Sequence, residues 1–152
     1  MKPFVFKLSS VLALRAREEE AAKQDYLHAV SAHSQLQSAH VEALAELENY
    51  QHALAAKREG NSSRNDQVLF LNALQYQREY CTRLGERLAA AERELEAKRD
   101  ALMVAKRRHE ALTRLERRHR MRHEAAAARE AEASVADLIT ARVALRTAEA
   151  MS

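Results

Sequence analysis

Two stretches of the chain carry core-type residues at alternating intervals of four and three. The first row runs Tyr26, Ala29, His33, Leu36, His40, Ala43, Leu47, Tyr50, Leu54. The second runs Phe70, Leu74, Gln77, Cys81, Leu84, Leu88, Ala91, Leu95, Lys98, Leu102, Ala105, His109, Leu112. A seven-residue period held over several heptads is the mark of helices in a left-handed supercoil. Between the rows lies the one cluster of breakers, Glu59-Gly60-Asn61-Ser62-Ser63-Arg64-Asn65-Asp66. Gly60 suits a left-handed helix end there, and Asn65 or Asp66 suits the start of the next helix. Ser9 and Ser10 suit the start of the first, near Val11, and Pro3 equally suits a first helical turn. The pattern predicts an all-α fold, a long antiparallel two-helix coiled-coil hairpin in a single domain over 1–152. Its helices cover about 8–59 and about 66–148, with a turn at about 60–65. At 1.5 Å per residue the first helix would run about 75 Å.

Unequal arms follow from that turn. Folding near residue 62 puts Leu8 beside position 116, so the second helix beyond about Arg117 should overhang without an intramolecular partner. The pattern agrees, because the seam stops at Leu115 and Glu116 to Ser134 offers only Met121 and small alanines. Apolar residues return at Val135, Leu138, Ile139, Val143 and Leu145 as a helical stripe. A helix that outruns its partner and regains an apolar face is suited to another molecule.

Composition narrows the fold class further. Ala, Arg, Leu, Glu and Lys make up 93 of 152 residues, beyond the half-share that marks long helices and coiled coils. Two Gly, one Pro and 5% aromatics leave too few turn and strand formers for a sheet. The lone Cys81 excludes a disulfide framework and suggests a reducing compartment. No run reaches the roughly 18 apolar residues of a membrane span, and the opening lacks the apolar stretch of a secretory signal. A cytoplasmic protein is expected. The net charge of +3 is uneven: Lys98 to His123 holds ten Lys/Arg against three Asp/Glu. That stretch could meet an acidic protein, an anionic membrane or nucleic acid. It lacks the interleaved aromatics that stack on bases, so nucleic acid is not expected.

Catalytic chemistry has no foothold in the sequence. There is no Gly-rich phosphate loop, no nucleophile elbow and no Cys/His metal spacing, and no cofactor is expected. His119 and His123 stand four apart, a spacing that can chelate a metal, but neighbouring arginines disfavour a dication. His33, His40 and His109 fall in the seam, where polar residues specify register. Cys81 in the same seam reads as packing. Gly85, inside a helical pattern, reads as a close contact or a soft point. Near the turn, Leu47, Tyr50, Leu54, Phe70 and Leu74 gather with Val68, Leu69 and Leu71. A two-helix pair buries one stripe, so some of these should be exposed.

Phe4-x-Phe6-x-Leu8-x-x-x-Leu12-x-Leu14-Arg15, followed by Glu18-Glu19, resembles the opening of the FliJ family, the flagellar type III export stalk. The resemblance extends through the turn position, Phe70-x-x-x-Leu74, Leu112-x-x-Leu115-Glu116-Arg117-Arg118, and an acid-bearing tail from Glu130 to Leu138. It implies an antiparallel two-helix coiled coil similar to the central stalk of rotary ATP synthases, with no catalysis of its own. It further implies a terminal end that binds a hexameric export ATPase and a turn end that binds the cytoplasmic domain of the export gate protein. Substrate chaperones are further implied partners. The gate contacts implied are Leu47, Tyr50, Phe70, Leu74 and Cys81; the ATPase contacts implied are Leu8, Leu12, Arg15, Arg117 and Arg118. The implied location is the cytoplasm, peripheral to the inner-membrane export apparatus without insertion. Stalk proteins of injectisomes (the YscO-like family) share the shape. A structural or nucleic-acid-binding coiled coil is the alternative outside the class.

Overall fold

A computed structural model describes residues 2–60 and 63–152. They form two helices, α1 (Ser9–Glu59) and α2 (Arg64–Met151), and no strand occurs among the described residues. The fold is an all-α antiparallel two-helix hairpin. Of the expected turn, Asn61 and Ser62 lie outside the described residues.

The helix ends differ from expectation in three ways. Ser9 and Ser10 sit inside the first turn of α1, and the Leu8 carbonyl accepts the first helical bond from Leu12 N–H at 2.9 Å. At the other end, Gly60 does not adopt a positive φ. Its N–H still donates to the Ala56 carbonyl at 3.2 Å, so it continues the helical ladder instead of reversing it. The cap of α2 is Ser63 rather than Asn65 or Asp66. Its hydroxyl accepts from Asp66 N–H at 3.2 Å and its carbonyl from Gln67 N–H at 3.2 Å. Two otherwise orphaned groups of the first turn are thereby used. Asp66 in that first turn, and Lys57 with Arg58 in the last turn of α1, oppose the respective helix dipoles.

Contacts divide the chain into two units, Glu18–Ala105 and Met1–Arg17 with Lys106–Ser152. In the first, every seam position read from the sequence is buried or half-buried. Ala43, Cys81 and Leu84 form the core cluster, with Leu36, Ala39 and Leu47 packed against it. A polar register mark crosses this apolar layer: buried Gln77 donates from Nε2 to the Ala43 carbonyl at 3.0 Å. His33 Nε2 lies 3.5 Å from Glu92 Oε1. Gly85 faces His40, and a Cβ there would stand 3.5 Å from its Nε2, an ordinary contact. No close approach therefore demands glycine at that point. As numbers rise on α2 the facing numbers fall on α1, so the helices run antiparallel.

In the second unit the chain ahead of α1 is not helical, and it extends the cover on α2. Phe6 is buried, its ring 5.7 Å from that of His119 at 70°. Phe4 lies 5.6 Å from the His123 ring with the Arg120 guanidinium 5.0 Å over its face. His123 Nε2 meets the Lys2 carbonyl at 2.9 Å. The expected register is thus kept, but the overhang does not begin at about Arg117. This strap partners α2 through His123, and Ala127 is still half-buried. Residues 128–152 are all exposed and remain helical to Met151.

Candidate functional site

The five residues implied as gate contacts all lie in the unit Glu18–Ala105, near the facing ends of α1 and α2. Their side chains belong to the seam. Leu74 and Cys81 are buried, at 5% and 6% exposure, and Leu47, Tyr50 and Phe70 are half-buried. The Lys57 ammonium stands 4.0 Å over the Phe70 ring, a cation–π contact that covers one of its faces. The cysteine thus packs as its heptad position demands.

The open apolar surface beside them belongs to other residues. Val68, Leu69 and Leu71 are exposed, as the all-round apolar pattern required. Tyr76, at 64% exposure, and Tyr80 are exposed too, and the sequence reading did not single them out. Leu69, Tyr76 and Tyr80 are spaced by seven and four, a second heptad row about a quarter turn from the seam. That spacing is the signal that could have found them. The Arg83 guanidinium stands 5.9 Å over the Tyr76 ring.

The implied ATPase contacts fall together in the other unit. Leu8 is exposed, Leu12 and Arg15 are half-buried, and Arg117 and Arg118 are exposed. Around them the unit carries fifteen Lys/Arg against seven Asp/Glu, a net of +8. His119 and His123 are engaged by Phe6, Phe4 and the Lys2 carbonyl. Among the described residues no group of three or more His, Cys, Asp and Glu could hold a metal. The grooves are open to solvent, such as one of about 370 Å³ beside Arg78 and Glu79. No helix among the described residues is long and apolar enough to cross a membrane. Beyond the strap, Val135, Leu138, Ile139, Val143 and Leu145 present an apolar stripe, each more than half exposed.

A family model described as "Flagellar FliJ protein" matches residues 4–149. The chain belongs to the FliJ family. Membership makes it a flagellar, export-related protein. The match takes in the strap from Phe4 onward, both helices and nearly all of the exposed end of α2. No curated protein and no solved structure gave a significant match.

Proposed function

We propose that this FliJ-family chain is the stalk and adaptor of a flagellar export apparatus. Its terminal unit binds the hexameric export ATPase, through Leu8, Leu12, Arg15, Arg117, Arg118 and the uncovered end of α2. Its turn end binds the cytoplasmic domain of the export gate, and export chaperones are further partners. The chain itself catalyses nothing; it acts by joining the ATPase to the gate, in the cytoplasm and peripheral to the inner membrane. The observation that carries this reading is the family match over 4–149, combined with a helix that continues bare from Ala128 to Met151. A helix that runs on bare and apolar beyond a basic stretch suits enclosure by another protein.

At the turn end, Leu47, Tyr50 and Phe70 touch the gate at their exposed edges. Leu74 and Cys81, being buried, contribute by setting the spacing of the helices beneath.

Removing residues 129–152 tests the ATPase half. The shortened chain keeps the strap and the seam, so its remaining helix should persist by circular dichroism. Stimulation of the export ATPase should be lost. Equal stimulation by the shortened and full chains would sink the assignment of this end to the ATPase.

A further inference from the structure

We infer that the outer face of α2 between Lys106 and Arg146 is a binding surface for an anionic lipid bilayer. The inference goes beyond the stalk reading and does not depend on it. At 100° per residue, Lys106, Arg114, Arg117, Met121, Val135 and Ile139 fall within an arc of about 80°. All six are exposed, Met121 at 62%, Val135 at 56% and Ile139 at 59%. His119 and His123 of the same unit, against which the strap packs, lie more than a third of a turn from the middle of that arc. The strap that covers them therefore leaves this row open.

Two chemistries are in phase on that one face. Its first half is cationic, with Arg107 and Arg118 on one flank and Arg120 on the other. Its second half is apolar, with Leu138, Val143 and Leu145 beside Val135 and Ile139 and with Arg142 and Arg146 in line. A charged surface alone would suit any polyanion. A bilayer interface also takes isolated aliphatic side chains just below the headgroups while arginines stay at phosphate level. Nucleic acid fits less well, because the unit has no exposed aromatic for base stacking: Phe6 is buried and Phe4 is held by His123 and Arg120. The net charge of +8 supplies the long-range attraction to an anionic leaflet. Arg117 and the uncovered end of α2, with Val135 and Ile139, are shared with the proposed ATPase contact, so a lipid-bound chain would withhold that end from the ATPase.

The test is co-sedimentation of the full chain with vesicles of phosphatidylglycerol and phosphatidylcholine, against vesicles of phosphatidylcholine alone. Binding should require phosphatidylglycerol and fall with salt. The pair Lys106→Glu and Arg114→Glu should weaken it about tenfold or more. The far-side pair Arg108→Glu and Arg122→Glu makes the same charge change and should weaken it by no more than about threefold. Val135→Ser with Ile139→Ser should also weaken binding without altering its salt dependence. Circular dichroism of each variant checks that the helix is intact. Equal losses from the two charge-swap pairs would overturn the face assignment, and so would equal binding to both vesicle types. Displacement of the vesicles by an RNA oligonucleotide with the same residue dependence would replace the lipid by nucleic acid. Stimulation of the export ATPase, measured without vesicles, is a separate readout. If it persists while vesicle binding fails, this inference falls and the stalk reading stands.

Discussion

The stretch of α2 from Leu74 to Leu84 and the stretch from Val135 to Leu145 are both helical, yet they are held by different forces. In the first, Leu74, Gln77, Cys81 and Leu84 are buried against α1. In the second, none of the described residues covers the apolar side chains, and Leu138 and Leu145 are 70% and 64% exposed. Packing stabilises the former, since burying a Leu contributes about 1.5–3 kcal/mol. The latter rests on the helix propensity of alanine, plentiful from Ala125 to Ala150. The lesson is that a continuous helix can be structural along one length and preformed for a partner along another.

Matched substitutions can break that comparison. Leu84→Ala should lower stability by about 2–4 kcal/mol, read as a shifted urea midpoint. Leu138→Ala should move the same midpoint by under about 0.5 kcal/mol. Equal shifts would mean that the exposed stripe is packed in solution. Next in size, replacing Ala126 and Ala128 together by Gly should loosen the end of α2 by about 1 kcal/mol per site. Faster amide exchange confined to that end, with an unchanged global midpoint, is the expected result. The smallest effect sharpens the packed side: Gly85→Ala should stabilise by up to about 1 kcal/mol, because the added methyl only reaches ordinary contact with His40. Destabilisation would show that His40 cannot yield.

Much of this was written in the heptads. Period alone placed each seam residue from Tyr26 to Leu54 and from Phe70 to Leu112 away from solvent, including the unpromising Gln77 and Lys98. Period could not reveal the strap, because Lys2 to Phe6 is not helical and its partners, His119 and His123, carry no apolar signal. A histidine ring can pack edge-on against phenylalanine as well as bind metal, and only geometry separates the two. The end of α1 departs from the pattern for a related reason. Gly60 permits a left-handed turn without requiring one, and the hydroxyl that capped α2 came from Ser63, inside the breaker cluster. The candidate contacts were legible as a region rather than as atoms. Apolar crowding near the turn pointed to the right stretch, but the heptad hides Leu74 and Cys81 while leaving Tyr76 and Tyr80 in the open.

The Gln77 amide grips a backbone carbonyl rather than a side chain. Such a bond recognises a place on the partner helix and is blind to which small residue occupies it. Descendants of this chain could therefore exchange Ala43 for serine or glycine and still keep the two helices in step. At this point the alignment of the two helices is tied to a backbone atom, which no exchange of side chain at position 43 removes.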